Sequence, residues 1–160
     1  MITVRPARRE DAAVIASFQI LMARETEDLE LDPATVDRGV RAVFDDPAKG
    51  SYWVAEPAGH TGGDDRIVAS LLTTLEWSDW RAATVLWIQS LYVLPGERGR
   101  GVYRALYEHL RREVESSPAL AGIRLYVDRR NTAAQRVYER LGMSREHYEM
   151  FEWLKSGAAD

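Results

Sequence analysis

The stretch that most constrains the fold is TVLWIQSLYV followed by LPGERGRGVYRALYEHL, residues 84–110. Its first part is rich in β-branched and aromatic residues, as strands are. Its second part sets Gly99 and Gly101 among arginines, then repeats Val102, Leu106, Leu110 and Val114 at a spacing of four, the core stripe of a helix. Pro118 and Gly122 bracket a loop, and IRLYVD, residues 123–128, reads as another strand. A strand, a helix and a strand in succession imply a crossover, and a crossover implies a parallel pair beside the glycine corner.

Upstream, Met1 to Arg5 alternates like a short strand. Asp11 leads into a helical pattern of Val14, Ile15, Phe18, Leu21 and Met22, and the acidic run ETEDLELD follows that helix. Asp32 before Pro33 is a helix start, with Val36, Val40, Val43 and Phe44 as its buried stripe and Pro47 as its stop. SYWVAE and RIVASLLTTLEW form a hairpin about the polar turn PAGHTGGDD, and the loop SDWRAA leads on to residues 84–93. After residue 128, NTAAQRVYERLGM is a short helix closed by Gly142, and HYEMFEWL is a last strand. The order β-α-α-β-β-β-α-β-α-β makes an α+β domain around a mixed sheet. Residues 1–154 read as one domain and 155–160 as a frayed tail.

Composition narrows the function. A net charge of −4 is a poor match to nucleic-acid binding, which leans on a basic face. With no cysteine, disulfides, thiol catalysis and zinc–thiolate sites are excluded. His60, His109 and His147 lack metal-ligand spacing, so no metal is expected. There is no signal-like N-terminus and no run of membrane-spanning length, so a cytoplasmic protein without a membrane partner is expected.

At the corner, glycines let the backbone turn tightly, and a helix that begins there points its positive end outward. Arg98, Arg100 and Arg104 add charge, so the corner suits an anion such as phosphate; a glycine-rich loop with solvated arginines is the plainer alternative. A dinucleotide fingerprint would need a third glycine where Arg104 stands, and a Walker A loop would need Gly-Lys before Ser or Thr. Residues 98–103 instead resemble the [QR]-x-x-G-x-[GA] loop that holds the pyrophosphate of acetyl-CoA in the GNAT N-acetyltransferase superfamily, with Tyr103 at the last position. Residues 131–143 resemble the same family's Asn-x-x-Ala-x-x-x-Tyr-x-x-x-Gly-Phe segment, with Met143 for Phe.

The resemblance implies the GNAT fold: a mixed sheet splayed between its fourth and fifth strands and flanked by about four helices. It implies that Leu91, Tyr92 and Val93 pair through their backbone with the pantetheine arm, and that an N–H near Leu91 or Tyr92 polarises the thioester carbonyl. Arg98, Gly99, Arg100, Gly101, Val102, Tyr103 and Arg104 would meet the pyrophosphate. Asn131 would hydrogen-bond the arm, although Asn is also a preferred helix cap and Thr132 offers a second one. Tyr138 would serve the departing thiolate; the alternative is a core tyrosine with a satisfied hydroxyl.

Gln89 and Tyr126 stand where the family often places a glutamate base. Glu76 and Asp79 in EWSDW are the first candidates in its place, then Glu25 and Glu27, each of which is otherwise a solvated loop charge. These acids, with Trp77 and Trp80 beside them, suit a cationic amine bearing an apolar portion; the two tryptophans equally suit core or a dimer surface. The expected activity is direct acetyl transfer from acetyl-CoA to an amine, by a protein for which a homodimer is compatible. The rivals are an acyl-CoA-binding sensor or scaffold without catalysis, and an interaction domain with no cofactor.

Overall fold

The computed structural model describes residues 1–58 and 67–155. Its first helix, α1 (Ala12–Glu27), buries Ala12, Ile15, Ala16 and Phe18 at helical spacing. It runs further than expected: Glu25 and Glu27 lie in its last turn, not after it. The reason is its closure, because Asp28 turns left-handed and the N–H groups of Asp28 and Leu29 both return to the Ala23 carbonyl. α2 (Pro33–Asp45) starts as predicted, with the Asp32 carboxylate accepting from the Thr35 N–H at 2.9 Å, and it ends before Pro47.

Five strands form one sheet in the order β1 (Ile2–Pro6), β2 (Ser51–Pro57), β3 (Ala69–Ser78), β4 (Ala83–Val93) and β5 (Leu120–Leu125). β1 to β4 are successively antiparallel, and β5 lies parallel to β4 after the helix α3 (Val102–Ser116). The polar turn of the β2–β3 hairpin lies largely outside the described residues. One sheet face carries Tyr52, Val54 and Tyr92 into a core with Ile15 and Phe18 of α1 and Val40 of α2. α3 packs against the first four strands with Val102, Leu106 and Leu110 fully buried, and its His109 ring meets Trp53 of β2 at 4.7 Å. Arg5 on β1 joins the buried carboxylates Asp11 and Glu56, at 2.7 and 2.6 Å, and ties β1 to β2 and to the entrance of α1.

The chain divides into two compact units, Met1–Arg124 and a second that begins at Leu125. In the second, Asp128 accepts from the Arg130 N–H at 2.7 Å, and its carbonyl accepts from the Asn131 N–H. That turn leads into α4 (Thr132–Arg140), after which Gly142 lies in the left-handed region. Two sequence expectations fail here. Residues 126–128 are not strand, because the Asp128 turn takes their place and β5 begins earlier, at Leu120. Residues 147–154 have no regular secondary structure, and Tyr148, Phe151 and Trp153 are exposed. A high strand propensity supplies no ladder partner, and a strand exists only as one side of a ladder.

Candidate acyl-CoA site

β4 ends at Val93 and passes through a short 3₁₀ turn, Pro95–Glu97, into the corner. Gly99 and Gly101 have φ of 77° and 82°, a region that favours glycine, and a Cβ at either would meet nothing within 4 Å. The corner is thus a turn open on its outer side. Gly101 is also the N-cap of α3 and offers no side chain to the helix, so the first-turn N–H groups receive no side-chain cap. Uncapped donors at the positive end of a helix are the requirement for an anion cradle. The nearby arginines are paired within the chain: Arg100 with Glu97 at 3.4 Å, Arg104 with Glu108 at 2.7 Å and Arg98 with Glu25 at 2.5 Å. The first two are exposed pairs of the kind worth about 0–1 kcal/mol, so they yield easily to a phosphate.

Leu91, Tyr92 and Val93 pair with Leu71, Ser70 and Ala69 of β3. Further back the register slips. Leu72 faces Ser90 while Thr73 faces Ile88, so Gln89 has no partner on β3. This is a β-bulge, which bends a strand and re-aims its backbone groups. The Gln89 amide donates to the Thr74 hydroxyl at 2.8 Å, which anchors the bulged residue.

The candidate acids differ in what they touch. Glu76 accepts from the Trp87 indole at 2.8 Å with one oxygen and from Arg124 at 2.6 Å with the other, and so braces β3, β4 and β5. Asp79, in the β3–β4 turn, is exposed and accepts from the Trp80 N–H at 2.9 Å. Trp77 and Trp80 are 66% and 89% exposed, which removes the core reading for both. Glu25 accepts from the Tyr92 hydroxyl and from Arg98, whereas Glu27 is exposed. The Tyr92 hydrogen bond, then that of Arg98, holds the Glu25 carboxyl below its ordinary range. Burial, then the hydrogen bond to Glu25, pushes the Tyr92 phenol up to about 12.

In the second unit, Asn131 caps α4 through Oδ1, which accepts from the Ala134 N–H at 3.0 Å, so the capping reading holds and Thr132 is not the cap. Tyr138 is half-buried on α4, and burial raises its pKa. Among the described residues no cluster of acids and histidines could hold a metal, and no helix is long and apolar enough to cross a membrane.

Sequence reasoning missed two side-chain networks, Glu25–Tyr92–Arg98 and Glu76–Trp87–Arg124. The partners lie up to 73 residues apart, and no local spacing announces them.

A mixed sheet with a bulged fourth strand that opens into a glycine-capped helix defines an acyltransferase fold. The model of the acetyltransferase (GNAT) family matches residues 16–143, and the chain belongs to that family. A solved structure of a possible acetyltransferase from Clostridium difficile 630 is 37% identical, with a TM-score of 0.85 over 97% of this chain and 98% of that one. A ribosomal-protein-alanine N-acetyltransferase from Brucella melitensis biovar Abortus 2308 shares the fold at 15% identity, with a TM-score of 0.73 over 96% of this chain and 100% of that one. No curated protein matches the sequence. The family uses an acyl-CoA co-substrate and an amine acceptor.

Proposed function

We propose that this protein transfers the acetyl group of acetyl-CoA directly to an amine within a ternary complex. The observation that carries this reading is the corner: two left-handed glycines with an open outer side lead into a helix whose first turn lacks a side-chain cap. The backbone N–H groups from Gly99 to Arg104 hold the pyrophosphate. The backbone of Leu91 to Val93 pairs with the pantetheine arm, and an N–H at Leu91 or Tyr92 polarises the thioester carbonyl. The Asn131 amide NH₂ remains a donor for the arm while Oδ1 caps the helix.

The amine nitrogen attacks the carbonyl carbon and forms the C–N bond. The C–S bond then breaks, its electron pair leaves on sulfur, and the nitrogen sheds its second proton as the neutral amide forms, while the thiolate gains one to leave as the thiol. The Tyr138 hydroxyl meets that thiolate. Its raised pKa makes it a hydrogen-bond donor first and a proton donor second. The ammonium proton must leave before attack. Both oxygens of Glu76 are engaged, and Asp79 lies in the turn before Ala83, eight residues back along β4 from Leu91, so the proton leaves to solvent and the two acids add negative field at that end of the sheet. With no cysteine there is no cysteinyl acyl-enzyme. The acceptor is a cationic amine with an apolar part that Trp77 and Trp80 can cover.

One observation favours a second reading, an acyl-CoA-binding sensor. Glu76 and Glu25, two of the four candidate bases, are both committed to hydrogen bonds within the protein. The test is thiol release from acetyl-CoA across a panel of polyamines, amino sugars, amino acids and peptides. Turnover with one cationic amine is expected. CoA binding without thiol release from any member would establish the sensor instead.

A further inference from the structure

The cluster formed by Glu25, Tyr92 and Arg98 draws together three elements. Glu25 stands in the last turn of α1, Tyr92 near the end of β4, and Arg98 opens the corner. Tyr92 Oη donates to Glu25 Oε1 at 2.7 Å, and an Arg98 guanidinium NH₂ donates to Glu25 Oε2 at 2.5 Å. Arg98 Nε donates to the Val93 carbonyl at 2.9 Å, and the guanidinium carbon lies 5.5 Å from the centre of the Tyr92 ring. That ring is 4% exposed and packs on Phe18 of α1 at 5.4 Å. Arg98 is therefore held at one side by a backbone carbonyl, at the other by a carboxylate and beneath by a ring. A guanidinium fixed in three directions is poorly free to follow a phosphate, and a carboxylate with both oxygens accepting is poorly free to take a proton.

We propose that Glu25 and Arg98 form a clamp that sets the position of the cofactor corner against α1, so that Glu25 is a positioning residue for acyl-CoA binding rather than a base, and Arg98 works through the clamp rather than as a phosphate ligand. This rests on the acyl-CoA reading of the corner. The clamp carries a second consequence. α1 continues directly into the acidic connection 28–32, so that connection and the corner are anchored at one carboxylate.

Three roles for the pair give three different results. If Arg98 binds phosphate independently, Glu25→Gln frees its charge and strengthens CoA binding. If Glu25 is the base, Glu25→Gln leaves CoA affinity alone and lowers kcat. If the clamp positions the corner, Glu25→Gln and Arg98→Gln each weaken CoA about two- to fivefold, the scale of a half-exposed ion pair. The double variant is then no weaker than either single one, because both break the same link.

The experiment is calorimetric titration of CoA into wild type, Glu25→Gln, Arg98→Gln and the double variant. Tyr92→Phe is included because it removes only a hydroxyl and keeps the buried ring. Thermal unfolding of each variant checks folding, and steady-state KM for acetyl-CoA should rise in the two single variants with kcat within about twofold. Non-additive weakening supports the clamp. Stronger or unchanged binding in Glu25→Gln, or full additivity, overturns it. Failure of Glu25→Gln and Arg98→Gln to fold, with normal CoA affinity in Tyr92→Phe, also counts against it. If wild type itself binds no CoA, the acyl-CoA reading falls, and the clamp falls with it.

Discussion

Tyr138→Phe keeps the ring and deletes one oxygen, so it separates chemistry from packing. If the hydroxyl meets the thiolate, kcat should fall about 10–100-fold while CoA affinity stays level, because charge develops on sulfur only as the bond breaks. Burial raises the Tyr138 pKa above 10.0, so no loss of kcat from its ionisation is expected on the alkaline side below that pH. A wild-type kcat in the phenylalanine variant would return Tyr138 to the core. His109 offers a test of stability. Among the described residues its buried Nε2 finds no hydrogen-bond partner beside Trp53, and desolvation lowers its pKa below 6.5. The folded state thus binds the proton less readily than the unfolded chain. The neutral ring's contribution is complete above pH 6.5 and is lost as pH falls from there towards the lowered folded value. Melting temperatures measured from pH 7.5 down to pH 5 should therefore drop more steeply for wild type than for His109→Gln. Parallel curves would exclude the effect.

At the scale of elements, the Asp32 cap and the corner can be tested separately. Asp32→Ala removes the acceptor for the Thr35 N–H and hydroxyl, at 2.9 and 2.6 Å, while Pro33 still presets the first turn. A loss of about 1 kcal/mol is expected, read as a fall in Tm of about 2–4 °C, and an unchanged Tm would show that Pro33 suffices alone. At the corner, Gly101→Asp and Gly101→Asn are similar in size, and both tolerate a positive φ better than most residues. Only aspartate brings a charge to the phosphates. CoA affinity should drop at least about a hundredfold for aspartate and far less for asparagine, by titration, and equal losses would assign the effect to backbone strain. These elements were legible in the sequence because each carries its own punctuation: Asp-Pro at α2, Pro47 after it, glycines at the corner and Gly142 after α4. The late end of α1 was not, since a left-handed aspartate is a weak signal beside glycine. Residues 147–154 misled because propensity says what fits a sheet, not whether a neighbour is there.

At the scale of the molecule, a net charge of −4 and an exposed Asp79 bear on how a cation arrives. For the best cationic acceptor, kcat/KM should fall as ionic strength rises. Asp79→Asn should raise the acceptor KM severalfold and flatten that dependence, with KM for acetyl-CoA unchanged. An uncharged best acceptor, or the same salt dependence in the variant, would refute the steering. What the sequence left hidden belongs to this scale. Glu76 read as a free acid because nothing nearby in sequence names Arg124, 48 residues on, as its partner. The arginines of the corner read as loose charge for the same reason, since Arg98 finds Glu25 only once β4 and α1 have packed.

Five steps of chain separate Trp87 from Tyr92, and in an uninterrupted strand an odd number of steps leaves two side chains on opposite sides. Gln89 stands outside the count. Through their partners Thr74 and Ser70, Trp87 and Tyr92 therefore share a side, so the brace to Arg124 and the clamp to Glu25 open on the same layer of the molecule. A deletion of Gln89 would leave a regular ribbon with these pairs and sides unchanged, whereas drawing Gln89 into the ladder would reverse the parity of every residue on one side of it. Tyr92 would then turn towards α3, or Trp87 and Val85 would, and one of the two networks would lose its donor. One residue without a partner on β3 thus decides which layer the cofactor corner answers to.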